Sequence, residues 1–380
     1  MKMAIIHDWL TVRSGAERIL EQIIKCYPDA DLFSMVDFLP KSSREFLLGK
    51  PVRTSLIQKL PFAKTHYRKY LPLMPFAVER LDFSAYDIVI SGSHAVAKGI
   101  LTSPDQLHVC YLMARNLKYA YEDRNFYPGG NLVKFVEDVF LHYLRIWDFS
   151  ASKRPDVVIA PSRYVSRWHK RMHGVEPSVI YPPVDVEFFS RFFREDKDEY
   201  YVVAARLEPY KRTDIIVRAF SEMGKKLLVF GDGTELRYLK SIAGPSVIFK
   251  GFQGKETIAP AVAQAKAFIF SGREDFGIAM VEAQACGTPV IALGKGGALE
   301  SIRGLDCEHP TGLFFGEQSP ASLISAVREF EARVDRLTPE ACRENALKYS
   351  EETFRLHFSE VVGRAIDAWR IQTQYNSERS

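Results

Sequence analysis

Short apolar runs alternate with longer amphipathic stretches along almost the whole chain, and this rhythm constrains the fold more than any other feature. In the first half the strand-like runs are 4–7, 32–35, 87–90, 107–111, 157–160 and 179–181. In the second they are 201–205, 226–230, 247–250, 267–270, 290–293 and 312–315. Strands separated by helix-length segments make parallel sheets covered by helices on both faces. A chain of 380 residues is too long for one core and suits two domains. The charged stretch 191–199 reads as the linker, which gives domains at 1–190 and 191–352. After it, Phe354, Leu356, Phe358, Val361, Val362, Ile366 and Trp369 predict a final helix over 353–380 that packs back toward the first domain. Ligands of such sheets bind beyond the carboxyl ends of the strands, so the turns there carry the functional reading.

In the second half, the run 267–270 leads into Glu274-Asp275-Phe276-Gly277 and a helix containing Glu282, which Gly287 stops. Within a single helix Glu274 and Glu282 would point about 80° apart. A helix that starts after Glu274 lets the two address different parts of one ligand. Between them lie the N–H groups of Phe276, Gly277 and Ile278, at a helix N-terminus that attracts phosphate. Two solvated glutamates flanking an ordinary turn fit the same residues.

Arg206 and Lys211 follow the run 201–205, and cations so placed can clamp a diphosphate or simply decorate a surface loop. Gly231-Asp232-Gly233 and the glycine-rich stretch 294–300 follow two further strands, where glycine lets backbone approach a ligand. Neither is a P-loop nor a Gly-x-Gly-x-x-Gly fingerprint, which disfavours kinase, ATPase and dehydrogenase chemistry. In the first half, Ser14-Gly15-Ala16-Glu17 opens a helix after His7-Asp8-Trp9-Leu10. Gly15 would let that N-terminus face a phosphate, or the segment is a plain cap. His94 sits among small residues past the run 87–90, suited to polar contact or to a capping role.

Five scattered cysteines without a Cys-x-x-Cys pair fit reduced thiols in a cytoplasmic protein. The first residues enter a strand with no signal-peptide pattern, and no apolar run spans a bilayer. A net charge of +4 is too small to argue for nucleic acid. The charge is uneven, however. Lys50, Arg53, Lys59, Lys64, Arg68, Lys69 and Arg80 face one acid, Glu79, and are interleaved with Leu56, Ile57, Leu60, Phe62, Tyr67, Tyr70, Leu71, Leu73, Met74 and Phe76. Such a segment suits an anionic membrane surface, or forms a basic face over a buried stripe.

Together these residues resemble the family-4 retaining glycosyltransferases of the GT-B fold. The motif from Glu274 to Glu282 matches with both flanks, and Arg206, Lys211, Gly231-Asp232-Gly233 and 296–300 follow in the family's order. The N-terminal text, including 7–10, 55–70, 71–75 and 93–99, is similar to a bacterial branch linked to O-antigen and exopolysaccharide mannosyl transfer. The segment from Leu112 to Leu117 departs from that branch by lacking its usual histidine and proline.

The resemblance implies two Rossmann-like domains facing across a cleft and a nucleotide-diphosphate sugar donor, GDP-mannose. It implies a lipid-linked glycan acceptor at the inner face of the plasma membrane, with no metal required. Arg206 and Lys211 would hold the diphosphate, Glu282 the ribose and Glu274 the transferred sugar, with N–H groups of Phe276, Gly277 and Ile278 assisting. His94 would face the sugar or the acceptor hydroxyl. Retention without an enzymic nucleophile implies front-face attack, the departing phosphate oxygen taking the acceptor's proton. A nucleotide-sugar epimerase or hydrolase of the same fold, and a non-catalytic nucleotide-sugar-binding protein, are the competing readings.

Overall fold

The computed structural model describes residues 1–115, 117–121 and 131–377, so Asn116 within the atypical 112–117 segment lies outside the described residues. The chain divides into two compact units, Met1–Tyr181 with Phe354–Ser380, and Pro182–Thr353.

In the first unit, β1 (Met3–His7), β2 (Asp31–Ser34), β3 (Val52–Thr54), β4 (Ile88–Ser93), β5 (Leu107–Leu112), β6 (Val157–Ala160) and β7 (Ser178–Val179) form one sheet. Its order is β3-β2-β1-β4-β5-β6-β7, and every pairing is parallel. Successive side chains of a strand serve opposite faces, so Ala4 and Ile6 enter one core while Ile5 enters the other. The helix Glu351–Ser377 covers the second of these cores. Phe354, Phe358, Val362 and Ile366 are buried there, with the Tyr111 ring 5.6 Å from Phe354 and 6.2 Å from Phe358. Leu356, expected with them, points outward at 58% exposure, because its place on the 3.6-residue helical repeat falls off that stripe.

In the second unit, β8 (Asp198–Ala204), β9 (Leu227–Phe230), β10 (Val247–Gly251), β11 (Ala265–Phe270), β12 (Val290–Leu293) and β13 (Gly312–Phe315) form a second parallel sheet, ordered β10-β9-β8-β11-β12-β13. The stretch 191–199 is not a free linker. Phe193 lies against Gly287, the Arg194 N–H donates to the Cys286 carbonyl, and the half-buried Lys197 donates to the carbonyl of Ala263 and to Thr288. Aromatic rings and the stem of Lys197 find apolar cover in this unit, so the chain joins it at Pro182 instead of 191.

The basic segment breaks into short turns, 56–59, 63–66 and 67–73, followed by the helix Met74–Glu79. Ile57, Tyr67, Leu71 and Met74 are buried in the first unit's core, while Phe62, Leu73 and Phe76 point outward. Much of the interleaved apolar stripe is therefore core. Among the described residues no helix is long and apolar enough to cross a membrane, and all five cysteines are free.

Candidate functional site

Four adjacent strands of the second sheet, β9, β8, β11 and β12, end in turns that are tied to one another at the carboxyl edge. After β8, Leu207 N–H donates to the Asp232 carbonyl at 2.9 Å, and Glu235 N–H returns to the Leu207 carbonyl at 2.9 Å. This two-way lock holds the Arg206–Lys211 turn against Gly231-Asp232-Gly233. It requires the glycines: Gly231 has φ 130°, and a Cβ there would stand 1.9 Å from the Ala205 carbonyl oxygen. On the other side the Ser271 hydroxyl donates to the carbonyls of Lys211 at 3.1 Å and Arg212 at 2.7 Å. Arg212 lies in the left-handed region (φ 53°) and ends the turn as the helix Thr213–Met223 begins.

Lys211 Nζ donates to the Glu274 carboxylate. The ammonium lies 5.2 Å from the centre of the Tyr210 ring and 5.3 Å from that of Phe270. Lys211 is 16% and Glu274 23% exposed, so the pair is sheltered but open to solvent on one side. Arg206, in contrast, is exposed and donates to Tyr210 Oη at 3.4 Å.

Glu274 sits outside the helix that follows. Its carbonyl accepts the Gly297 N–H at 2.9 Å, bridging the turns after β11 and β12. Gly277 (φ 97°) is the N-cap, and the helix runs Ile278–Ala285 with Glu282 half-buried in its second turn. Phe276 is buried on Tyr349 at 5.1 Å, which fixes the turn between the two glutamates. Behind the helix, buried Gln284 donates to the carbonyls of Met280 and Ser301, while Asn345 donates to Gln284 and Ser301. The structure thus brings Arg206, Lys211, Gly231, Asp232, Gly233, Glu274, Phe276, Gly277, Ile278 and Glu282 to one sheet edge. Among the described residues no group of three or more His, Cys, Asp or Glu is arranged to hold a metal ion.

Two candidates, His94 and Gly15, lie in the first unit, at the carboxyl ends of neighbouring β4 and β1. His94 is held by a residue the sequence reading passed over. Fully buried Asp8 accepts the backbone N–H groups of His94, Ala95, Val96 and Ala97 at 2.6–2.8 Å. His94 Nδ1 lies 3.2 Å from Asp8 Oδ2, with Trp9 edge-on to the ring at 4.6 Å. Burial pushes the Asp8 carboxyl up, but the His94 charge and these N–H bonds together carry it below the usual carboxylate range. Burial lowers the His94 imidazole, partly offset by Asp8.

Gly15 is the first residue of the helix Gly15–Cys26. Glu17 occupies that helix's first turn, accepting from Ser14 N–H at 2.8 Å and Ser14 Oγ at 2.7 Å, and lies 3.5 Å from His7 Nε2. Burial acts against ionised Glu17, but the His7 and Ser14 contacts bring its carboxyl down to about 2. The N-terminus near Gly15 therefore already carries a carboxylate, which weakens its attraction for phosphate.

Two family models match the chain in tandem: Glycosyltransferase Family 4 over residues 13–188 and Glycosyl transferases group 1 over residues 185–349. A D-inositol 3-phosphate glycosyltransferase of Mycobacteroides abscessus is 26% identical over 223 residues, 52% of this chain and 49% of that protein. A GDP-mannose-dependent monoacylated alpha-(1-6)-phosphatidylinositol monomannoside mannosyltransferase of Corynebacterium glutamicum is 32% identical over 177 residues, 39% of this chain and 46% of that protein. The chain spans about half the length of these curated relatives. The crystal structure of Anabaena HepE in complex with UDP and glucose shares the fold, with a TM-score of 0.67, 18% identity, and coverage of 96% of this chain and 100% of that one. With both halves matched in order and two parallel α/β sheets in place, the chain belongs to the family-4 glycosyltransferases of the GT-B fold.

Proposed function

We propose that the protein is a retaining glycosyltransferase that moves mannose from GDP-mannose to a lipid-linked glycan in surface polysaccharide synthesis. The observation that carries the reading is the Lys211–Glu274 pair, held among four locked turns at one sheet edge within the segment that the group 1 model matches. A cation beside a carboxylate suits a ligand whose diphosphate and sugar lie next to each other. The nucleotide sugar is supported by the UDP and glucose bound to HepE, and GDP-mannose and a lipid acceptor by the name of the Corynebacterium relative.

In this reading Arg206 and Lys211 offset charge on the departing diphosphate. Glu282 accepts from the ribose hydroxyls, and Glu274 contacts the sugar with the N–H groups of Phe276, Gly277 and Ile278. Gly231, Asp232 and Gly233 border the nucleotide. His94 addresses the sugar or the acceptor hydroxyl, and Gly15 offers phosphate a helix end whose attraction the Glu17 carboxylate weakens. The acceptor attacks on the face from which the diphosphate leaves, and a phosphate oxygen takes its proton, so no protein nucleophile is needed. The exposed cations between Lys50 and Arg80 would bring the enzyme to the anionic inner face of the plasma membrane.

The test is a panel of nucleotide sugars assayed with and without lipid-extract acceptors. Acceptor-dependent transfer of mannose from GDP-mannose is the expected result. Donor turnover without acceptor would replace the reading with an epimerase or hydrolase. Binding without turnover across the panel would leave a non-catalytic binding protein.

A further inference from the structure

The helix Asn131–Ala151 in the first unit is apolar on two opposite faces. Its inner face is ordinary: Leu141, Leu144, Trp147 and Ala151 are buried in the core beneath the sheet. Two of its three carboxylates, Glu137 and Asp148, also turn inward, and Asp138 is exposed. Glu137 is buried, and fully buried Asp148 pairs with Lys98 and accepts from Tyr121 Oη at 2.8 Å. The outer face carries Phe135, Val139, Ile146 and Phe149, flanked by Val136 and Tyr143, each between 46% and 65% exposed. At 100° per residue these six lie in one arc across the helix from Leu144, shared with exposed His142 and Ser150 and bordered by Asp138, whereas a helix with one solvated face carries mostly polar side chains there. Single exposed apolar residues need no explanation, but a stripe four turns long does.

Around the stripe exposed cations outnumber the exposed acids, which include Asp138 on the helix and Glu176 paired with Lys170 at 2.5 Å. Lys153 Nζ stands 4.2 Å over the Phe149 ring. The neighbouring helix Arg163–His173, whose His173 ring lies 6.5 Å from Phe149, exposes Arg163, Arg167, Lys170 and Arg171. On its other flank the helix Met74–Glu79 is tied on through Glu79, which accepts from Trp147 Nε1 at 2.9 Å, and the segment leading to it exposes Lys64, Arg68 and Lys69. A second copy docking on this stripe would bring these cations against their own kind. An anionic bilayer takes the aromatic and aliphatic side chains below its headgroups and pairs the cations at the surface.

We propose that the outer face of the 131–151 helix is a lipid-inserting surface that docks the protein on anionic bilayers. This gives the membrane part of the function above a specific element, different from the basic segment itself, and it requires no particular donor or acceptor.

The experiment is flotation of the full chain with vesicles of phosphatidylcholine alone or with about a third phosphatidylglycerol. Wild type is expected to float with the anionic vesicles and to remain largely unbound with the neutral ones. Val139→Ser/Ile146→Ser should lower the anionic bound fraction at least five-fold with an unchanged thermal midpoint, since both side chains are more than half exposed. A second set, Lys59, Lys64, Arg68 and Lys69 changed to Glu, separates the two surfaces. Loss of flotation in that set with wild-type flotation of the serine variant overturns the lipid-inserting helix and leaves the basic segment as the anchor. A wild-type dimer that the serine variant converts to monomer, with no vesicle binding by either, overturns it in favour of a second copy. Since flotation contains no donor or acceptor, failure of the transferase assay leaves this result standing, and the reverse holds.

Discussion

Lys211 and Glu274, sixty-three residues apart, neutralise each other at the carboxyl edge of the second sheet. A diphosphate arriving at Lys211 must therefore compete with a carboxylate already in place. Replacing Glu274 by the near-isosteric Gln removes that competition while keeping an acceptor for the lysine. A partly exposed pair of this kind is worth about 1 kcal/mol, so GDP or UDP should bind Glu274→Gln roughly five-fold more tightly. Sugar transfer should meanwhile fall by about 10²-fold, on the scale of one lost transition-state contact. Calorimetry against turnover separates the two effects. If binding and transfer weaken together, the sugar-side role of Glu274 is wrong.

The two cations should respond differently from one another. Arg206→Ala removes an exposed side chain, whereas Lys211→Ala also leaves Glu274 unpaired in a sheltered position. Each should cut turnover by ~10²-fold or more. Only Lys211→Ala should also lower the thermal midpoint, and Lys211→Ala/Glu274→Gln should restore that midpoint without restoring activity. Near-normal turnover in both single variants excludes the diphosphate clamp.

The turn at Gly231 gives a test of the architecture that carries the nucleotide edge. Alanine there meets the Ala205 carbonyl and a backbone at φ 130° that side chains rarely adopt. The strain alone costs about 1–3 kcal/mol. Gly231→Ala should therefore lower the thermal midpoint by several degrees and reduce nucleotide binding. Gly316→Ala, with open space around its Cβ, is the matched control.

What the sequence reveals here follows from how far apart interacting residues lie along it. Period and turn chemistry are local, so both sheets, the helix start at Gly277 and the glutamates' separation from one another are readable. The edge strand β3 is not, because three residues inside a basic segment, two half-buried and one exposed, are too few to read as an alternation. Asp8 escapes for a different reason. Its four N–H partners begin 86 positions later, and only the small residues around His94 hint that backbone is being gathered there. The Lys211–Glu274 pair likewise joins two segments that read as separate subsites of one ligand. The Gln284–Asn345 contact behind the helix of Glu282 spans 61 positions and leaves no local mark.

Asp8 makes a prediction that concerns His94 alone. Burial lowers the imidazole, and the Asp8 charge opposes that burial, with His7 acting in the same direction as burial, Glu17 against it and Arg68 with it. Asp8→Asn removes the main raising influence, so the His94 titration should move to lower pH. Nitrogen-15 NMR of the imidazole reads this directly, with Glu17→Gln as a weaker shift in the same sense. An unmoved titration would show that Asp8 serves only the backbone of 94–97. The carboxylate itself, held below its ordinary value, contributes stability above about pH 4 that is lost on further acidification.

Three buried histidines of the first unit predict where acid begins to harm the fold. Burial lowers His108 to about 3 with Arg154 adding to it, and His169 to about 3 with His173 and Lys98 adding to it. Burial lowers His173 to about 4, Asp148 opposing and Lys98 reinforcing. Each is depressed below its ordinary 6.5, so the unfolded chain binds more protons than the native one between the two values. The stability contributed by neutral imidazole is complete above about pH 6.5 and falls as the pH drops toward 3–4. At pH 5 each such histidine costs about 2 kcal/mol at most, from roughly 1.4 kcal/mol per pH unit. Thermal midpoints should therefore decline already between pH 6.5 and 5, above the range in which carboxylates such as Glu17 lose their charge. In His108→Gln, which keeps a partner for the Ser91 hydroxyl at the 2.8 Å contact, the decline should be shallower. A midpoint that stays level down to pH 5 in wild type would mean that these imidazoles find compensating partners when protonated.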